Sequence, residues 1–152
     1  MAEIINQIPG FEKGTVHYVS ATDEVNALSF AAQMVSDLLN KWNSNVAFFS
    51  CTGRSEGLIN LVKNESSVAR LHTVSQRNKA LQVLLRKAAG IAHRRAVHYF
   101  IIEGLPPQDA MGKRWLLQFA KSTDASVTII ELNEEQGAAI ARCVALELLA
   151  HR

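Results

Sequence analysis

Three polar side chains at the expected ends of strands are the candidates for catalysis. Ser50 closes one apolar segment, Thr52 follows it, and Glu103 follows another. Parallel sheets bind ligands outside the carboxyl ends of their strands, so chemistry is expected at these positions. An enzyme that uses Ser50, Thr52 and Glu103 on an unidentified substrate is therefore one hypothesis, and we rank it last of three.

Two other residue sets resemble reactive sites only superficially. Cys51 and Arg54 do not bracket the five-residue loop of a cysteine phosphatase, because Gly57 stands where the arginine would be needed. The histidines form no HxxxH or HExxH pattern, so the sequence predicts no metal site. His17 and His98 are expected to lie in strands, each with a hydrogen-bond partner.

The charge distribution is more informative than the net charge of +2. No Asp or Glu occurs between Glu65 and Glu103, and a predicted helix crosses that stretch. A solvated outer helix face is the simpler interpretation; a surface for nucleic acid or an acidic partner is the functional one. Aromatic residues are not interleaved with the charges, so base stacking has no support. The candidate binding residues are Arg77, Lys79, Arg86, Lys87, Arg94 and Arg95.

Strand and helix patterns alternate along the chain, which predicts a parallel sheet with helices on both faces. The first helix is expected to begin after Asp23, with an apolar stripe of Val25, Leu28, Ala32, Val35, Leu39 and Trp42. The predicted strands are 15–20, 46–50, 69–73, 97–102 and 127–130, and the later helices are 55–62, 75–96, 109–121 and 134–149. We therefore expect one three-layer α/β/α domain over residues 1–152, with a mainly parallel sheet.

Composition suggests an ordinary globular protein. Nearly half of the residues are apolar and a fifth are charged. Neither a membrane-length apolar run nor a signal-peptide pattern is visible, so a cytoplasmic location is expected. Cys51 and Cys143 lie in apolar surroundings and are expected to be buried and unreactive.

Several short segments, in a fixed order over about residues 8–133, carry a family resemblance. They are Ile8–Gly14 (like "GL..G"), Ser29–Ala32 (like "TFAL"), Phe48–Ser50 with Glu56 and Leu58 (like "FSLEMSAEQL"), Tyr99–Ile102 with Leu105 (like "VIDYLQL") and Ile129–Asn133 (like "LSQLN"). In this order the chain resembles the helicase core of bacterial DnaB-type replicative helicases, which belong to the RecA superfamily. The resemblance implies a RecA-like, P-loop-type fold.

The departures from the family are concentrated where ATP would be hydrolysed. A phosphate loop needs glycines, a lysine and a hydroxyl that binds Mg²⁺. The resemblance places Asp23 and Glu24 at the phosphates, and Asn26, Ala27 and Leu28 at the family's Gly, Lys and hydroxyl positions. Thr52 stands at the catalytic glutamate, and Glu103 stands at the Walker B aspartate. These differences predict a degenerate phosphate loop, no nucleotide cofactor and no ATPase activity.

The first hypothesis is accordingly a pseudo-ATPase that acts through protein–protein interaction. Its partner would be a helicase, another replication or recombination assembly, or a second copy of itself. The second hypothesis is a DNA-binding accessory factor in replication, recombination or plasmid transfer, which uses the basic helix.

Overall fold

In the described part of the chain, five parallel strands form a central sheet, and four helices connect or flank them. The computed structural model describes residues 12–41, 44–62, 68–77 and 80–132. The strands are β1 (Thr15–Ala21), β2 (Val46–Ser50), β3 (Leu71–Ser75), β4 (Tyr99–Glu103) and β5 (Ser126–Leu132). The helices are α1 (Glu24–Asn40), α2 (Ser55–Val62), α3 (Leu81–Arg95) and α4 (Ala110–Ser122), and a 3₁₀ turn at Val68–Arg70 leads into β3.

The strand order is β1-β5-β4-β2-β3. In the two common doubly wound orders of dinucleotide-binding and flavodoxin-like proteins, the first strand is internal. Here β1 pairs only with β5 among the described strands, and β3 pairs only with β2. The sheet is therefore not wound in either of those orders.

Alternating side chains of the strands supply two separate hydrophobic cores. Phe100 and Ile102 of β4 pack with α3 and α4, whereas Ile101 packs with α1 and α2. Successive strand residues point to opposite faces, so a strand covered on both sides is apolar throughout. The molecule is therefore an α/β protein with helices on both faces of a parallel sheet, an arrangement compatible with three α/β/α layers.

Most of the expected elements are confirmed. The helix predicted over residues 55–62 has those bounds, and the expected first and fourth helices begin after Asp23 and Asp109. Both aspartates have extended backbones and cap their helices, because their side chains accept hydrogen bonds from main-chain N–H groups three residues later. Cys51 is buried, as expected.

Four sequence predictions were wrong in detail. The strand expected over residues 97–102 begins at Tyr99, so His98 lies before it and not in it. The long basic helix begins at Leu81 rather than Ser75, because Ser75 is the last residue of β3 and stands opposite Ser50 of β2. Strand β3 begins at Leu71, two residues later than expected, because Val68–Arg70 form the 3₁₀ turn. Val25 is 73% exposed and is not part of the buried stripe. That stripe instead centres on the small residues Ala27 and Ala31, which let α1 lie close to the sheet.

Some predictions concern residues outside the described ranges. They are the segment before Glu12, Trp42, Lys79, the helix expected at 134–149, Cys143 and His151. Within the described ranges, every helix is too short or too polar to cross a lipid bilayer.

Candidate functional site

Strands β2 and β4 lie side by side and end together at the carboxyl edge of the sheet. Ser50 stands opposite Glu103 in the parallel register, and Cys51 N donates to the Glu103 carbonyl over 2.8 Å. After β2 the chain enters α2 on one face of the sheet, and after β4 it enters α4 on the other. This divergence makes the β2–β4 junction the switch point at which open α/β sheets usually bind ligands.

The three predicted polar residues meet at this junction. Ser50 Oγ donates to Glu103 Oε2 over 2.7 Å, and Thr52 Oγ1 lies 2.7 and 2.8 Å from the two carboxylate oxygens. Ser50 Oγ in turn accepts a 2.7 Å bond from Arg54 N. Ser50 is fully buried and Glu103 is 2% exposed. We call Ser50, Thr52 and Glu103 the hydroxyl–carboxylate cluster.

Through these hydrogen bonds the cluster connects the loop that follows β2 to the end of β4. A buried carboxylate needs hydrogen-bond donors, and both hydroxyls here serve that need. A nucleophile or general base must reach a substrate atom, but Ser50 and Glu103 are both inaccessible, and only Thr52 of the cluster is exposed. The cluster thus occupies the crevice in which a ligand would be expected.

Gly104 allows the cluster to close. Its φ is +81°, a left-handed conformation that side chains disfavour, and a Cβ there would lie 2.5 Å from Thr52 Cγ2. The main chain can therefore leave β4 directly beneath Thr52 only with glycine. This role of Gly104 was not predicted from the sequence, where its position directly after Glu103 was the available signal.

The turn between β1 and α1 is short, and the carboxylate of Asp23 lies at the N-terminus of α1. β1 ends at Ala21 and α1 begins at Glu24, so only Thr22 and Asp23 lie between them. Asp23 Oδ1 accepts from Asn26 N over 2.7 Å, and Asp23 Oδ2 accepts from Asn26 Nδ2 over 3.0 Å. A helix N-terminus attracts anions, and here the Asp23 carboxylate takes that place.

The remaining residues of the predicted degenerate phosphate loop belong to α1. Asn26, Ala27 and Leu28 are helical, and Ala27 is fully buried. Glu24 forms an ion pair with Arg54, which ties the first turn of α1 to the loop after β2. The residues predicted to form a degenerate phosphate loop therefore form the N-cap and the first turns of α1.

The candidate basic residues do not form one surface. Arg77 and Lys87 are exposed, and Lys79 lies outside the described ranges. Arg86 lines a depression with Trp115 and Gln118 of α4. Arg94 and Arg95 instead line a groove beside β3, so the described arginines of α3 face two sides of the helix.

The groove beside β3 contains residues that sequence analysis did not group. His72 and Thr73 of β3 line it together with Arg94 and Arg95 at the end of α3. Burial, reinforced by the Arg95 guanidinium, lowers the pKa of His72. A weak strand followed by a helix with a basic last turn was the only sequence signal for this groove.

The other predicted histidines have the expected partners. His17 in β1 shares a 2.9 Å hydrogen bond with Thr15 Oγ1, and burial lowers its pKa although Glu12 acts in the opposite direction. His98 Nδ1 lies 3.0 Å from the Asp124 carbonyl oxygen, just before β4 begins. Within residues 12–41, 44–62, 68–77 and 80–132, no three His, Cys, Asp or Glu side chains cluster as metal ligands.

Comparison with known proteins gives no family for this chain. No protein-family model matches it, and no curated protein matches it significantly in sequence. The resemblance to DnaB-type helicases therefore rests on the short segments quoted above.

Proposed function

We propose that this chain is a RecA-like domain that does not hydrolyse nucleotide and acts by binding another protein. The observation that carries the proposal is the Asp23 carboxylate, which caps α1 at the turn where the resemblance places a phosphate loop. A polyphosphate there would face the Asp23 carboxylate and would have only a two-residue turn to hold it, whereas the charge of Glu24 is offset by its ion pair with Arg54. In active RecA-like domains, main-chain N–H groups at this turn bind the phosphates. Here the N–H of Asn26 is already bonded to Asp23, so it is not available to a phosphate.

The β2–β4 junction supports the same proposal. Thr52, at the family's catalytic glutamate position, is a neutral hydroxyl bonded to Glu103. Glu103, at the Walker B position, is buried beneath that hydroxyl and Ser50. Thr52 is exposed but neutral at the general-base position, and Glu103 is too buried to hold Mg²⁺ against a nucleotide, so both positions argue against ATPase activity.

RecA-like domains of this family associate side by side, with nucleotide at the junction. A copy that cannot bind nucleotide would retain the surface for association without the hydrolytic cycle. The proposed partners are therefore an active helicase of the host or a second copy of this chain, with regulation of a replication or recombination assembly as the role.

The nucleotide part of the proposal is tested by thermal unfolding with Mg²⁺ and ATP. A ligand at a hundred times its Kd stabilises a protein by about 2.7 kcal/mol, which is easily detected as a higher Tm. We expect no change in Tm up to millimolar ATP. A saturable rise in Tm that Glu103→Gln abolishes would overturn the proposal.

The interaction part is tested by light scattering after size exclusion, at several protein concentrations, and by pull-down with the purified replicative helicase of the host. We expect concentration-dependent self-association or capture of the helicase. A monomer at all concentrations that captures no helicase would contradict this part.

The DNA-binding hypothesis receives less support, because Arg86 faces α4 whereas Arg94 and Arg95 face β3. Phosphate binding by several cations would weaken steeply with salt. Anisotropy with single- and double-stranded DNA at two salt concentrations tests it. Salt-sensitive binding that is lost when Arg86, Lys87, Arg94 and Arg95 are reversed in charge would establish DNA binding instead.

A further inference from the structure

The groove beside β3 runs along an open edge of the sheet. Four consecutive residues of the strand line it, from Leu71 to Val74. Successive strand residues point to opposite faces, so a groove that contacts all four must lie against the strand's side. Among the described strands β3 pairs only with β2, which leaves its other side available.

The edge lacks the usual features that prevent pairing with another chain. Natural edge strands are commonly protected by lysine, proline, inward-pointing charges or a bulge. The strand Leu71–Ser75 contains no proline and no charged residue other than a titratable histidine. Four of its five residues are half-buried, and Ser75 is exposed.

The wall of the groove is basic. Arg94 and Arg95 of the last turn of α3 are exposed and line it, and Arg95 adds to the effect of burial in lowering the pKa of His72. None of the described residues that line the groove is acidic. Within the described part of the chain, neither arginine forms an ion pair with a carboxylate. Within the described residues, the groove thus combines a strand edge that pairs with no other strand and two arginines without an acidic partner.

We propose that this groove binds an extended acidic segment of a partner protein, which adds to β3 as a sixth strand. This inference rests on the proposed protein-binding function and names the chemistry of the partner. Main-chain hydrogen bonds along β3 would supply affinity, and Arg94 and Arg95 would select acidic side chains. The groove, of about 550 Å³, is large enough for several residues of such a segment.

The lining favours a peptide over nucleic acid. Leu71, Val74 and Ile91 give the groove apolar lining, and none of the described lining residues is an aromatic that could stack on a base. Arg94 and Arg95 both come from α3, which covers the face to which His72 and Val74 point. Side chains of an added strand reach that face at every second position. The preferred segment therefore has acidic residues at alternate positions, with β-branched residues between them.

The test uses the full chain and a fluorescein-labelled heptapeptide that alternates Glu and Val, measured by anisotropy. We expect saturable binding that weakens at least tenfold in R94E/R95E. The matched control R86E/R114E makes the same change in net charge on α3 and α4 away from β3 and should stay within twofold of the wild type. Circular dichroism of both variants confirms that each is folded.

Two further probes separate the sources of binding. A peptide with alternate Lys in place of Glu should not bind, and N-methylation of the Glu–Val peptide's amides should abolish binding, because methylated amides cannot pair with a strand edge. Equal binding of the methylated peptide would overturn strand addition. Equal losses in R94E/R95E and R86E/R114E would overturn the assignment to this groove, as would tighter binding of a DNA oligonucleotide than of the peptide at the same arginines.

The outcome is distinguishable from failure of the proposed function. If R94E/R95E captures the helicase as well as the wild type does and the peptide fails to bind, the groove assignment is wrong while the protein-binding role stands. If the wild type binds the peptide but neither self-associates nor captures the helicase, the groove assignment stands and the proposed partner is wrong.

Discussion

At the scale of single residues, the β2–β4 junction depends on a glycine as much as on its polar groups. Thr52 can reach Glu103 only because the chain at Gly104 passes beneath it in a left-handed conformation without a side chain. Gly53, next to Thr52, also has a positive φ, +77°, but has open space where a Cβ would be. A side chain at Gly53 would therefore meet only the strain of a positive φ, whereas a side chain at Gly104 would also clash with Thr52.

Gly104→Ala should destabilise the protein more than Gly53→Ala. A left-handed alanine costs about 1–3 kcal/mol at either position, and the clash with Thr52 Cγ2 adds about 1–3 kcal/mol at Gly104 alone. Urea unfolding of both variants measures the difference in free energy. The double variant T52S/G104A lacks the clashing methyl group and should recover most of the excess. Equal costs for the two alanine variants would show that the contact with Thr52 is unimportant.

At the scale of elements, helices α1 and α4 begin in the same way. Asp23 and Asp109 each have extended backbones and accept a hydrogen bond from the N–H three residues later, over 2.7 and 2.8 Å. These caps could be read from the sequence, because Asp before an apolar pattern is a helix-start signal. The start of α3 could not, since Ala80 offers no side-chain cap and Ser75, where the helix was predicted to begin, is held in the sheet opposite Ser50.

Removing either cap should cost similar stability. D23A and D109A are each expected to lower the free energy of unfolding by about 0.5–2 kcal/mol. Asparagine retains the acceptor oxygen, so D23N and D109N should lose much less. Chemical denaturation of the four variants provides the measurement. A loss in D23N as large as that in D23A would mean that the charge of Asp23, and not its cap, stabilises α1.

The position of a strand in the sheet should determine its sensitivity to mutation. Ile101 and Ile102 are adjacent but pack into opposite cores, and both are buried. I101A and I102A should each destabilise by about 2–5 kcal/mol, because each leaves a cavity. L71A, in the half-buried edge strand β3, should cost less. Equilibrium unfolding tests the ranking, and an equal loss in L71A would contradict the edge position of β3.

At the scale of the whole molecule, the strand order places the switch point between β2 and β4, and the hydroxyl–carboxylate cluster fills it. The open surfaces lie elsewhere, notably at the β3 edge. This distribution favours a domain that binds its partner at the edge of the sheet and not in a central crevice.

The global stability should decline in mild acid. The pKa values of His17 and His72 are lowered on folding by burial, so between those values and the ordinary value of about 6.5 the unfolded chain binds more protons than the folded one. The free energy of unfolding therefore falls as pH drops below about 6.5. Urea unfolding at pH 7.5 and 5.5 measures the decline, and H17Q/H72Q should flatten it. An unchanged dependence in the double variant would assign the decline to other groups.

Local pattern determined much of this protein. The periodicity of apolar residues located most of the described elements, and two aspartates located two helix starts, because these signals act within a few residues. The apolar strand Val46–Ser50 indicated a sheet covered on both faces before any packing was known. The lack of glycine and lysine between Ala21 and Leu28 was likewise visible in the sequence alone.

The tertiary structure decided which residues meet. Ser50 and Glu103 are far apart in the chain, and only the parallel register of β2 and β4 puts their side chains 2.7 Å apart. The sheet order made β3 an edge strand and brought the last turn of α3 beside it. Such pairings depend on contacts between elements that are far apart in the sequence. A short window of sequence cannot predict them, because its periodicity shows which face of an element is buried but not which element packs against that face.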